Sequence, residues 1–196
     1  MNVRYWLRHP VTLLRRIWHF GYERRHPEEP FLAPSAVRFL DRNLPRHGRG
    51  LEWGSGRSTR WLAPRLGTLV AVEHDQDWLN EVTQQLGQAS ISNVDLRYIP
   101  LDHPQEMPTK SHYDPVPAYV DFASEFSDEF FDFIEVDGHY RQACVTMALA
   151  KLKPGGLLLV DDTNWLPLSE WGVPNTWQLV HQSTKINTVT SIWRKS

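Results

Sequence analysis

Six carboxylates in this chain, Glu52, Glu73, Asp102, Asp137, Asp161 and Asp162, each follow a short apolar run, and His139 comes two residues after the fourth of them. Acids gathered in one crevice can hold ribose hydroxyls, attract a cation or relay a proton, and a histidine titrates near working pH. Taken singly, each acid reads equally well as a helix cap or a turn former. Their recurrence behind apolar runs is what favours a common site.

The first acid introduces a glycine turn, RGLEWGSGRSTRW, Arg49 to Trp61, in which a short strand passes Glu52 and runs through Gly54, Ser55 and Gly56 toward a helix that Ser58 or Thr59 can cap. Glycines there permit a sharp turn and a close backbone approach to a ligand. A second buried strand, TLVAV, delivers Glu73 about 20 residues after the first glycine, where an acid can take ribose hydroxyls. Glu52 divides the cofactor classes, because a carboxylate at the turn repels a pyrophosphate and suits a ligand with a positive end. Thr59 stands where a dinucleotide fingerprint has its third glycine.

Further elements alternate along the chain. Trp78, Val82 and Leu86 follow an Asp75 or Asp77 cap at helical spacing, and VDLRYI reads as a third strand. A proline-punctuated stretch from 103 to 117 reads as a loop or lid, and 118–126 as a helix. FFDFIEV is a buried fourth strand ending at Asp137, and DGHYR opens a helix that Pro154-Gly155-Gly156 should stop. LLLV, a fifth strand, finishes in Asp161-Asp162, and two strands, 177–181 and 188–193, close the chain. Strands alternating with helices predict a doubly wound, mostly parallel sheet whose ligand lies beyond the carboxyl ends of the strands.

LEWGSGRST, VEHD, DFIEVDGHYR, LKPGGLLLVDD and the final strand pair stand in the order of the landmarks of class I S-adenosylmethionine-dependent methyltransferases, and the chain resembles that superfamily over about residues 49 to 194. The resemblance implies a Rossmann-like seven-stranded sheet with an antiparallel last strand and S-adenosylmethionine as methyl donor. It places Gly54 and Gly56 under the donor's amino acid end, Glu73 on its ribose and Asp102 near its adenine. Asp137 with the Asp161-Asp162 pair is similar to metal-dependent O-methyltransferases, where such positions hold Mg2+. The alternative is that Asp137 orients donor or substrate while the pair caps a loop. His139 is a base for the acceptor or a solvated turn histidine, and Arg141 binds an anionic group or pairs with a carboxylate. Cys144 falls on an inward helix face as a small core residue. Trp165 and Trp171 either shape an acceptor pocket or anchor their loop.

The expected activity is methylation of a small-molecule acceptor, at oxygen. Rival readings are a nicotinamide-dependent oxidoreductase and a non-catalytic Rossmann-like binding or membrane-associated protein. With 196 residues and 41% hydrophobic content the chain is one globular domain at 49–196 preceded by a helical arm at 1–48. One cysteine excludes an intramolecular disulfide framework, and neither a membrane span nor a signal peptide is recognisable, so a cytoplasmic protein beginning near Met1 is expected.

The net charge of −2 divides unevenly: residues 1–25 hold six arginines and one acid, a charge of +5, which leaves −7 elsewhere. Within that arm Val11, Leu14 and Trp18, with Leu13, Ile17 and Phe20, recur at helical spacing, interrupted by Arg15, Arg16 and His19. Packing on the domain or on a second subunit is expected ahead of a peripheral contact with anionic lipid. No nucleic-acid partner is expected.

Overall fold

The computed structural model describes residues 10–196, with the side chains of 10–12, 14 and 15 excepted. Arg4 and Arg8, and the Val11, Leu14 and Arg15 side chains of the expected arm, therefore lie outside the described residues.

Helix α1 (Pro10–Arg25) and helix α2 (Pro34–Asn43) precede a seven-stranded sheet built of β1 (Arg49–Trp53), β2 (Thr68–Glu73), β3 (Val94–Tyr98), β4 (Phe131–Val136), β5 (Leu152–Val160), β6 (Gln178–Lys185) and β7 (Thr188–Arg194). The spatial order is β3-β2-β1-β4-β5-β7-β6. Strands β1 to β5 pair in parallel, and β7 runs antiparallel to both of its neighbours. Helices α3 (Arg57–Leu62), α4 (Gln76–Gln88), α5 (Ala118–Asp121) and α6 (Arg141–Lys151) connect the parallel strands. Covering both faces explains why β1, β2, β4 and the end of β5 are almost continuously apolar. Leu51, Trp53, Ile134, Val136, Leu158 and Val160 pack on one side, while Leu69, Phe133, Leu157 and Leu159 meet Leu40 of α2 on the other. Between β1 and β4 the strand order reverses, which opens the crevice at the carboxyl edge.

Local differences from the sequence reading have identifiable causes. Pro34, whose missing N–H is no loss in a first turn, begins α2 after Ala33. Thr59 stands inside α3 and reaches back, its hydroxyl accepting the Gly56 amide at 2.8 Å. Asp75 caps α4 through Trp78 N. Pro154-Gly155-Gly156 does not stop a helix: α6 ends at Lys151, and the three residues form an irregular stretch of β5, where Gly155 has φ +79° and the register with β4 shifts. The segment read as a helix over 118–126 is one α-helical turn followed by a 3-10 turn, Phe122–Glu125.

Leu32, Ala36, Val37 and Leu40 are buried with the sheet, so residues from about 32 onward fold with the body rather than with the arm. Helix α1 is attached differently. Its His19 is buried and its Glu23 pairs with Lys185 of β6 at 2.6 Å, whereas Ile17, Trp18 and Phe20 are 56–60% exposed. Glu23 of α1 thus meets the domain, while Ile17, Trp18 and Phe20, expected to pack on the domain or on a second subunit, are left exposed.

Candidate active site

In parallel strands alternate residues share a face, and Glu52 of β1 is the register partner of Glu135 of β4. Asp137 lies two residues beyond Glu135, and Asp161 follows β5 with its amide on Val136 O at 3.1 Å. A row of acids therefore crosses the centre of the sheet at the switch point. Glu52 and Glu135 are buried to within 1% of complete. The Thr59 hydroxyl donates to one Glu52 oxygen at 2.6 Å; the other Glu52 oxygen and both Glu135 oxygens have no partner among the described residues. Burial is the main cause that pushes the Glu52 carboxyl up to about 8, with the Asp137 and Glu73 charges adding and the Ser58 and Thr59 hydrogen bonds opposing. Burial also raises Glu135 well above the carboxylate range, and Glu52 and Asp137 reinforce it.

Asp137, Asp161 and Asp162 converge, with one oxygen of each within 4.8 Å of the others. Arg141 enters this group from the first turn of α6. Its Nη1 donates to Asp162 Oδ2 at 2.9 Å and Asp161 O at 2.8 Å, its Nη2 contacts Asp137 Oδ1 at 3.0 Å and donates to Asp137 O at 3.0 Å, and its Nε donates to Gly138 O at 3.0 Å. Asp161 Oδ1 accepts the Thr190 hydroxyl. The repulsion that a divalent ion was expected to relieve is met by a guanidinium of the chain itself, already engaged at all three nitrogens. The three acids are spaced as a set that could hold a divalent ion, and Arg141 already places a cation of the chain's own among them. Burial nevertheless raises Asp137 to about 7, opposed by Arg141 and assisted by Asp161 and Asp162.

A cavity of about 570 Å³ is lined by Ser55, Gly56, Glu73, Trp78, Glu135, Asp137, His139 and Trp165; Glu52, Asp161 and Asp162 lie behind that lining. Gly54 has φ +96°, and a Cβ there would come within 2.8 Å of Gly138 N. The need for glycine at 54 thus arises from the facing loop. Glu73 Oε2 accepts the Ser55 hydroxyl at 3.0 Å, and Oε1 accepts the His74 and Asp75 amides at 2.8 and 3.0 Å, so its carboxylate is held rigidly at the rim. Trp78 Nε1 donates to Ser55 O at 2.8 Å, which ties α4 to the glycine turn.

His139 is half-buried, with Nδ1 3.4 Å from Glu106 Oε1 and its ring 4.2 Å from that of His74. Burial first, then the neighbouring His74, lowers its pKa, against the pull of Glu106. The imidazole is therefore held in the neutral, proton-accepting form. Trp165 borders the cavity and lies over Arg141 at 4.5 Å, while Trp171 is fully buried and donates to Thr163 O, so the first shapes the pocket and the second anchors the loop. Cys144 is buried and raised well above the usual thiol range by that burial, as a core residue would be.

Asp102 is placed elsewhere. Both its oxygens accept the Ala118 amide at 3.1 Å, capping α5, and it does not border the cavity. An acid after a strand has the same appearance in sequence whether it caps a helix or faces a ligand. Two carboxylates of the cavity, Glu135 and Glu106, escaped the sequence reading. Glu135 carried a signal, a lone acid at a core-facing position of an apolar strand; Glu106, which also accepts the Tyr140 amide at 2.9 Å, lies in the aperiodic proline-rich loop and carried none.

No protein-family model and no curated protein sequence matches the chain. Solved structures do. The chain is similar to yhhF from Escherichia coli, described as a candidate methyltransferase, at 14% identity over 85% of this chain and 90% of that one, with a TM-score of 0.61. An rRNA methylase from Streptococcus thermophilus aligns at 14% identity over 85% and 99% with a TM-score of 0.58. A methyltransferase-like protein from Silicibacter pomeroyi aligns at 18% over 86% and 89% with a TM-score of 0.57. At these identities the likeness establishes the fold, a seven-stranded Rossmann-like sheet shared with proteins described as methyltransferases.

Proposed function

We propose that this chain is an S-adenosylmethionine-dependent methyltransferase that methylates an oxygen of a small acceptor without a metal ion. The observation that carries the reading is the pair of buried, incompletely bonded glutamates, Glu52 and Glu135, beside the glycine turn of a methyltransferase fold. Uncompensated carboxyls in a dry crevice favour a ligand that brings positive charge, which S-adenosylmethionine does through its sulfonium and ammonium groups. A nicotinamide dinucleotide would bring a pyrophosphate to the same place. An acceptor embedded in nucleic acid would likewise carry phosphates toward the acidic floor.

When bound, the cofactor supplies an electrophilic methyl group; the chain supplies position and proton transfer. Glu73, fixed by Ser55 and two backbone amides, presents its remaining acceptor capacity to ribose hydroxyls. Glu52 and Glu135 offset the positive end. Arg141 holds Asp137 toward the acceptor half of the cavity. His139, neutral and oriented by Glu106 at Nδ1, offers Nε2 to an acceptor hydroxyl. Trp165 helps to exclude water, and alignment within the enclosed cavity provides most of the rate.

Calorimetry tests the reading directly. S-adenosylmethionine and its demethylated product should bind, and dinucleotides should not. Glu73→Ala, which removes charge-assisted hydrogen bonds contributing about 1.5–3 kcal/mol, should weaken binding roughly ten- to a hundred-fold in a folded protein. Unchanged affinity in that variant would remove Glu73 from the site, and preferential dinucleotide binding would replace the reading with an oxidoreductase.

A further inference from the structure

Helix α1 presents an inverted amphipathic arrangement. Its attachment to the body uses the Glu23–Lys185 ion pair at 2.6 Å; Lys185 in turn donates to Phe31 O at 2.9 Å. Exposed on the helix are Ile17 at 60%, Trp18 at 56% and Phe20 at 59%, an apolar patch left open among the described residues, whereas His19 is 6% exposed. Trp18 is steadied by stacking on Tyr22, whose ring stacks on His26 and whose hydroxyl donates to Glu29 at 2.7 Å. The patch is therefore presented by a braced helix.

Its rim is cationic. Arg24 lies over the Phe20 ring at 5.0 Å, with Arg25 beside it in the last turn. The only acid between residues 10 and 25 is Glu23, and Lys185 already engages it. We infer that this face of α1 docks on an anionic lipid bilayer, with Ile17, Trp18 and Phe20 in the headgroup–acyl boundary and the arginines on lipid phosphates and carboxylates. Aromatic and aliphatic side chains beside arginines on one helix face are the composition of an interfacial helix, and long cationic side chains can reach headgroups while their stems remain on apolar surface.

Charge decides between this occupant and a second copy of the chain. A twofold contact is self-complementary, so joining two copies through this patch would set one arginine rim against the other. An anionic bilayer complements the same rim. Among the described residues no helix is long and apolar enough to cross a membrane, so the contact is peripheral.

The test is flotation of the full-length protein with phosphatidylcholine vesicles, with and without phosphatidylserine, at low and high salt. Binding should require phosphatidylserine and be released by salt. Arg24→Gln with Arg25→Gln should lower the partition coefficient roughly thirty-fold, since each arginine near such a surface contributes about a five- to six-fold step. Ile17→Asp with Phe20→Asp should abolish flotation. All these side chains are exposed, and an unchanged melting temperature in both variants shows that the fold is kept. Absence of flotation by the intact protein, or equal binding to neutral vesicles, overturns the inference. So does a dimer in analytical ultracentrifugation that Ile17→Asp converts to monomer, which would give the face to a second copy.

Discussion

Glu52 holds a proton at neutral pH because burial raises its carboxyl to about 8. A cationic cofactor beside it favours the ionised form, so binding below that value expels the proton. Affinity for S-adenosylmethionine should therefore rise with pH up to about 8 and level off above it, with proton release measurable in buffers of different ionisation enthalpy. Glu52→Gln should flatten the profile, and a wild-type profile already flat would remove Glu52 from contact with the charge. The same sign governs the empty protein. A folded-state value above the unfolded 4.5 means that Glu52 draws stability down as pH rises from about 4.5 to about 8. Residues of this kind were partly legible. Glu52, Glu73, Asp137 and His139 announced themselves as polar groups following or closing apolar runs, and the fold gathers them. Glu135, a lone acid among Phe133, Ile134 and Val136, carried a signal of another kind, since it sits within its strand rather than at the strand's end.

Between elements the decisive contact is Arg141, which joins the first turn of α6 to the ends of β4 and β5 through Asp137, Asp161 and Asp162. Removing a largely buried member of such a network leaves charges uncompensated. Arg141→Ala should destabilise the protein by about 3–5 kcal/mol in urea unfolding, and Arg141→Lys, a single ammonium without the planar fork, should recover only part of that. Activity should survive treatment of the wild-type enzyme with a chelator, and its full restoration only by magnesium or manganese would return the three aspartates to a metal. Sequence spacing brought the three acids together correctly but could not show which cation accompanied them, since an arginine four residues past Asp137 meets Asp161 and Asp162 only through the pairing of β4 with β5. Pro154-Gly155-Gly156 was misread for a similar reason. The residues that end helices also permit a positive φ within an irregular strand, and only the register with β4 distinguishes the two.

At the scale of the whole molecule, the β3-β2-β1-β4-β5-β7-β6 order was legible because each parallel strand is a buried apolar run separated from the next by a helix-length segment. The orientation of α1 was not, since its apolar residues carry no mark of whether they face the domain or turn away from it. A ligand that binds only the folded state raises its stability by mass action, by about 2.7 kcal/mol at a hundredfold excess over Kd. For a domain of this size, S-adenosylmethionine at that excess should raise the melting temperature by roughly 5–10 °C, and dinucleotides should leave it unmoved. A shift with the dinucleotide alone would reverse the cofactor assignment. The approach of Gly54 to Gly138 bears on how such an enzyme changes its substrate. A Cβ at Gly54 would lie 2.8 Å from Gly138 N, and one at Gly138 would lie 2.1 Å from the Tyr119 hydroxyl, so the glycine turn and the loop that carries Asp137 and His139 are interlocked. Insertions in either would disturb both halves of the cavity at once. Diversification toward new acceptors, in nature or in directed evolution, is thereby channelled into the stretches at 103–117 and 163–175, whose lengths can vary while the reaction centre stays in register.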